Sequence, residues 1–335
     1  MGLQSWLREL GFPGFASFST AELVTEGIDG SHLTAIVTGT TSGIGKETVR
    51  VLALRGVTVV MTARCTEKGR QVKESLLKEN PTAKLHLMEM DLSSINSIIS
   101  FARSFYGANL PLNILINNAG IFGCPFQLSD DGVELQFATN YLGHFLLTNL
   151  LLDKLKSTAK ETGVEGRIVN VSSIAHRFAL SSTMELDKIN DPSNYHRYGA
   201  YIRSKLAILL HASELSKLLK EEACNVTINS LHPGIIPTNI LRNNTYFDST
   251  VMFFIKPILK NVAQVTNVTH AWSSFEGAST ICYIALHPKL KGISGKYYAA
   301  DCNEISASKY ASDEKLSKRL WDFSQELIGN IMKPI

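Results

Sequence analysis

Short runs of consecutive apolar residues alternate along the chain with longer stretches in which apolar positions recur every three or four residues. The first kind reads as strands buried on both faces, the second as helices packed across them. Runs at 34–37, 57–63, 84–90, 112–116, 167–171, 225–231 and 296–300 predict about seven strands. Helical spacing predicts helices over 46–55, 67–79, 95–105, 198–219, 270–286 and 313–328, and one long or two abutting helices over 131–156. Gly56 and Asn80-Pro81 punctuate this pattern as helix stops. Each crossover is long enough to return the chain to the same end of a parallel sheet. The expectation is an α/β fold, a doubly wound parallel sheet flanked by helices in a single domain over 31–335. Residues 1–30 read as an N-terminal extension with a helix near 20–26. Its aromatics, Trp6, Phe12, Phe15 and Phe18, would pack on the domain or touch a partner.

The first strand runs into Thr38-Gly39-Thr40-Thr41-Ser42-Gly43-Ile44-Gly45, and a helix follows. A glycine-rich turn between strand and helix, if not merely tight, points backbone N–H groups at a pyrophosphate and lets the backbone approach it. The fold then becomes Rossmann-type, with Gly39, Thr41, Ser42, Gly43, Ile44 and Gly45 as cofactor-binding candidates. The second strand ends at Arg64, where an acid would hold adenosine ribose hydroxyls. An arginine there, unless simply solvated, pairs with a 2′-phosphate and favours NADP(H) over NAD(H). Asp91 and Leu92 close the third strand, where adenine would lie. Tyr201 and Lys205 stand four residues apart on one helical face. An ammonium near a phenol favours the phenolate and lowers the pKa from about 10. That suits proton exchange with an alcohol or carbonyl, although such a pair also occurs on ordinary helix surfaces.

Composition narrows the partners. A net charge of +3, with no basic run interleaved with aromatics, gives no footprint for nucleic acid. Five scattered cysteines without metal-ligand spacing predict neither a disulfide framework nor a metal site. No stretch approaches the roughly 18 apolar residues of a membrane span. The first 30 residues, with acids Glu9, Glu22, Glu26 and Asp29 against Arg8, make a poor secretory or transit signal. These features favour a cytoplasmic protein.

The glycine turn, Asn117-Asn118-Ala119-Gly120, Asn140, Ser173, the Tyr201/Lys205 pair and Pro233-Gly234 resemble, in order and spacing, the short-chain dehydrogenase/reductase superfamily from about residue 34 to 300. The resemblance implies that Tyr201 is the general acid/base and that Lys205 holds the nicotinamide ribose and depresses the tyrosine pKa. Ser173, with Ser172 as the weaker candidate, would hold the substrate oxygen. Asn140 would hold a water that relays protons through Lys205. Asn118, Ala119 and Gly120 would line the adenine-ribose side, and Pro233, Gly234 and Thr238 would cradle the nicotinamide.

Asn140 to Thr148 and Ser173 to Phe178 are similar to the retinol-dehydrogenase-like branch. Leu33 to Gly39, Glu134 to Asn140 and Ile189-Asn190-Asp191 are similar to plant members associated with the chloroplast inner-envelope import translocon. The implied function is an NADP(H)-dependent carbonyl reductase or alcohol dehydrogenase. Its substrate would be a lipophilic secondary alcohol, ketone or aldehyde, for instance a terpenoid or steroid-like compound of plant specialised metabolism. The alternative is an NADPH-sensing component of the translocon, peripheral at the chloroplast inner envelope and linked to calmodulin. A homo-oligomer is compatible with either. Residues 238–269 read as a substrate lid, an ordinary packed helix or a partner surface. The last helix carries Trp321 among Lys315, Lys318 and Arg319, and reads as core-packed or as a basic amphipathic face.

Overall fold

A computed structural model of the chain describes residues 20–234 and 277–333. Seven strands form one parallel sheet: β1 (Thr34–Val37), β2 (Thr58–Ala63), β3 (Leu85–Glu89), β4 (Ile114–Asn117), β5 (Gly166–Val171), β6 (Val226–Leu231) and β7 (Tyr297–Tyr298). Their spatial order is β3-β2-β1-β4-β5-β6-β7. The order reverses between β1 and β4, which leaves a crevice at the carboxyl ends of these two strands. Val37 pairs with Ile116, so the two strands end level and their loops meet.

The helices are α1 (Ala21–Val24), α2 (Gly43–Leu54), α3 (Thr66–Glu79), α4 (Ile95–Gly107), α5 (Gly143–Thr162), α6 (Arg197–Glu221), α7 (Ser279–Leu286) and α8 (Glu314–Ile331). One face of the sheet buries Val49, Leu52, Leu76, Ile281 and Ile284 from α2, α3 and α7. The other buries Phe101, Phe105, Phe145, Leu206, Leu210 and Trp321 from α4, α5, α6 and α8. Each such large side chain contributes about 1.5–3 kcal/mol on leaving water. Helix α1 belongs to the packed body, since Ala21 meets Val51, Ala278 and Cys282. Trp6, Phe12, Phe15 and Phe18 and the segment 238–269 lie outside the described residues, as does most of 270–278. All five cysteines are free thiols. Among the described residues no helix is long and apolar enough to cross a membrane.

One helical expectation changes. The stretch read as an amphipathic helix over 198–219 is buried without interruption from Ser204 to Ala212. Helix α8 covers the side of α6 that would otherwise meet water. Trp321 packs edge-on against Phe145 with ring centroids 5.0 Å apart, and Ser317 Oγ donates to buried Glu214 at 3.2 Å. The apolar, Trp-bearing face of α8 is therefore turned inward, and its lysines and Arg319 lie on the exposed side.

The long helical stretch over 131–156 resolves into two abutting pieces. A turn at Leu135–Phe137 leads through a π turn, Ala138–Leu142, into α5. A Cβ on Gly143 would lie 2.2 Å from the Leu92 carbonyl oxygen, so only glycine permits this approach of helix to β3 loop. Within the π turn, the Tyr141 hydroxyl is bonded to Ser324 Oγ of α8 at 2.7 Å.

Candidate active site

The glycine turn is built by close approach. Gly39 has φ +72°, and a Cβ there would come 2.8 Å from the Ala119 Cα. A Cβ on Gly45 would come 2.2 Å from the Gly39 carbonyl oxygen and 2.6 Å from Asn118 Nδ2. Gly43 also has positive φ and opens α2. Ser42 is the N-cap of α2, but its side chain caps no N–H. Thr41, Ser42, Gly43 and Ile44 are half-buried. Orphan N–H groups at a helix start, beside glycines whose Cβ would not fit, form a cradle suited to a dinucleotide pyrophosphate. The donor chemistry fits the predicted cofactor.

Asn118 mainly braces this turn. Its side chain donates to the Thr38 carbonyl at 2.8 Å, and its N–H donates to Thr38 Oγ1 at 2.9 Å. Ala119 N–H donates to the same hydroxyl at 2.9 Å. At the adenine end, Arg64 Nε lies 3.8 Å from Asp91 Oδ2, with the arginine side chain 69% exposed. Asp91 also caps its own loop, accepting Ser93 N–H at 2.9 Å. Leu92 is buried beneath. Pro233 and Gly234, the latter at φ +89°, leave the end of β6, and Thr238 lies outside the described residues.

The predicted proton-transfer residues come together from three elements. Tyr201 and Lys205 lie one turn apart on α6, with Lys205 Nζ 5.7 Å from the Tyr201 ring centroid. Ser173 follows β5, its hydroxyl accepts Ala175 N–H at 3.2 Å, and its side chain pulls the Tyr201 phenol down. Lys205 Nζ donates to the Val171 carbonyl at 2.9 Å. Ser172 is engaged elsewhere, donating to the Lys205 carbonyl at 2.8 Å inside the core. That leaves Ser173 as the available hydroxyl. A Cβ on Gly120 would be 3.3 Å from Asn140 Oδ1 and 3.6 Å from Lys205 Nζ, so Gly120 keeps this corner open.

The electrostatics differ from the expectation for Tyr201. Burial pushes its phenol up to about 12, with the Ser173 hydrogen bond pulling the other way. The same burial pushes the Lys205 ammonium down to about 8. Lys205 is itself desolvated and turned to a carbonyl, so it does not dominate the phenol.

Asn140 is tied closely to its neighbours. Its amide oxygen accepts Ile121 N–H at 2.8 Å, and its amide nitrogen donates to the Ile121 carbonyl and to Ser204 Oγ, both at 2.9 Å. Both amide hydrogens are committed to the protein, so the side chain braces α6 and the β4 loop, and its oxygen keeps one acceptor position. A π turn at such a position is a common mark of a functional helix.

Several supporting residues carried no signal in the sequence. The His176 ring donates from Nδ1 to the Ser173 carbonyl at 2.7 Å and accepts Ser308 N–H on Nε2 at 3.2 Å. Phe122 stands perpendicular to the Tyr201 ring with centroids 4.6 Å apart. Gln136 ties the wall together, donating to the Tyr195 hydroxyl at 2.9 Å and accepting Gly123 N–H at 2.8 Å.

The chain is similar to known proteins. Residues 33–184 match the family model of short chain dehydrogenases. The chain is 51% identical over 321 residues to short-chain dehydrogenase TIC 32 B, chloroplastic, of Brassica napus, an alignment covering 96% of both chains. It is 36% identical over 313 residues to human retinol dehydrogenase 14, covering 88% of this chain and 86% of that one. Among solved structures, a protein from Mycobacterium paratuberculosis superposes with a TM-score of 0.69 at 28% identity, covering 91% of this chain and 97% of that one. With the sheet order, the glycine cradle and the likeness over nearly its whole length agreeing, this chain belongs to the short-chain dehydrogenase family of oxidoreductases.

Proposed function

We propose that the protein is an NADP(H)-dependent oxidoreductase that interconverts a lipophilic secondary alcohol and its ketone, or the corresponding aldehyde pair. The observation that carries this reading is the buried Tyr201 ring 5.7 Å from the Nζ of an equally buried Lys205, one helical turn away, with the Ser173 side chain acting on the phenol. NADPH, when bound, supplies the hydride. Ser173 donates a hydrogen bond to the substrate carbonyl oxygen and steadies the charge that develops there. Tyr201 delivers a proton to that oxygen, which suits a phenol kept protonated at neutral pH. Lys205 holds the nicotinamide ribose, and Asn140 braces the α6 backbone through Ser204. Arg64 takes the 2′-phosphate, which supports NADP(H) over NAD(H).

Apolar preference is supported by Phe122 and Tyr198 beside Tyr201, and by exposed Phe178 and Leu180 on the segment after Ser173. The name of the Brassica relative supports a chloroplast location. A translocon or calmodulin role finds less support, because the Trp321 face of α8 is already packed. Oxidation of NADPH and NADH by the purified protein against a panel of lipophilic ketones tests the proposal. Turnover should prefer NADPH and fall about 100- to 10,000-fold in Tyr201→Phe, with NADPH binding retained. Tight NADPH binding with no turnover across the panel would turn the reading towards a sensor.

A further inference from the structure

Thr38 follows β1, and its hydroxyl is saturated. It accepts two N–H groups, from Asn118 and Ala119, and lies 2.9 Å from His144 Nε2. The other ring nitrogen, Nδ1, lies 3.0 Å from the Asn140 carbonyl oxygen. A carbonyl only accepts, so Nδ1 carries the proton and Nε2 is the acceptor. The Thr38 hydroxyl must then donate to Nε2, since the Ile116 carbonyl is a poorer acceptor at 3.4 Å. One placement of hydrogens satisfies all four bonds. Both side chains are buried, so water does not compete for them.

His144 is the second residue of α5, just beyond the π turn, whereas Thr38 opens the glycine turn. A single ring thus joins the loop that shapes the nucleotide cradle to the turn that presents Asn140. Resting on the oxidoreductase reading above, we infer that His144 is a positioning residue. It fixes the Thr38 hydroxyl against the Asn140 carbonyl, so that nucleotide seating and the brace behind Tyr201 are set together.

The test uses NADPH affinity, read by calorimetry, alongside kcat and KM with a ketone that the wild type reduces. His144→Leu removes both ring bonds, Thr38→Val removes the hydroxyl, and the double variant removes everything at once. His144→Gln has an amide that reaches Thr38 but does not also serve the Asn140 carbonyl.

We expect NADPH Kd to rise and kcat to fall by about tenfold each in His144→Leu and Thr38→Val, with ketone KM little changed. The double variant should lose clearly less than the sum of the two single losses in free energy, because both singles already break the shared Thr38–His144 bond. His144→Gln should recover most of the NADPH affinity but not kcat. Additive losses in the double variant overturn the inference, as does a folded His144→Leu with wild-type Kd and kcat, or a Gln variant no better than the Leu one. If His144→Leu does not fold, Thr38→Val and His144→Gln carry the same comparison, and equal loss of affinity in both overturns it. Wild-type protein that binds neither nucleotide overturns the oxidoreductase reading itself. Wild-type binding with an indifferent His144 overturns this inference alone.

Discussion

The two halves of the crevice are made by different means. At β1 and β4 the proposed nucleotide side is shaped by backbone, with glycines at Gly39 and Gly45 where any Cβ would collide with a neighbouring loop. At β5 and α6 the proposed proton-transfer side is shaped by side chains removed from water, and the same removal shifts Lys205 and Tyr201 in opposite directions. The first half is thus steric and indifferent to pH. The second is electrostatic and depends on it. A surface meant to hold a phosphate chain needs shape and N–H groups, whereas one meant to move a proton needs groups whose charge is costly.

The largest effect that separates the halves is expected from Gly45→Ala. Its methyl would enter the space of the Gly39 carbonyl oxygen, so NADPH affinity should fall about 100-fold or more, by calorimetry, with the pH profile of stability unchanged. A variant that binds normally would show that the cradle yields, and the steric account would fail.

Lys205→Met should do the reverse. The Lys205 folded-state pKa, about 8, lies below its ordinary 10.5. Between those values the unfolded chain holds the extra proton, so the wild type loses stability as pH falls from 10.5 towards 8. Methionine has no such proton. The stability of Lys205→Met relative to wild type, read from thermal melts, should therefore be higher near about pH 7 than near about pH 10.5, by an amount on the order of 1–3 kcal/mol. Tyr201 has the opposite sign, since its raised pKa removes stability as pH climbs from 10 to about 12. Parallel melting curves for wild type and Lys205→Met across that range would contradict the electrostatic account.

The smallest effect is expected at the rim. Arg64 is exposed and shares its charge with Asp91, so Arg64→Ala should weaken NADPH about 5- to 10-fold while NADH changes little. Equal weakening of both nucleotides would remove Arg64 from 2′-phosphate recognition.

The sheet was legible because a strand buried on both faces reads as an uninterrupted apolar run, and Thr34–Val37 and Ile114–Asn117 are such runs. The glycine turn was legible because collisions with a Cβ leave a compositional trace. Lys205 and Tyr201 were legible as a pair at helical spacing, but not in their charges, which depend on how deeply α6 is buried. Helix α8, far along the chain, packs on α6 at His211 and Glu214, so a local pattern over 198–219 showed an amphipathic helix where the fold buries every residue from Ser204 to Ala212. The π turn at Asn140 was illegible for a similar reason, since it depends on Gly143 meeting the Leu92 carbonyl. His144 and His176 lay in stretches that carried the family resemblance, but their own roles appear only once the distant partners Thr38 and Ser308 are beside them.

The bond between Tyr141 and Ser324 places a clock on the molecule. Ser324 is joined to the chain 183 residues after Tyr141. At about 5–20 residues per second of synthesis, roughly 10–35 s separate the two on the ribosome. During that interval the first strands, the glycine turn and α5 have already emerged, while the π turn lacks its anchor and the α6 side that α8 will cover is open. A nascent chain can therefore shape its nucleotide cradle well before its proton-transfer corner is held. The apolar surface awaiting Trp321 is the one a chaperone would meet.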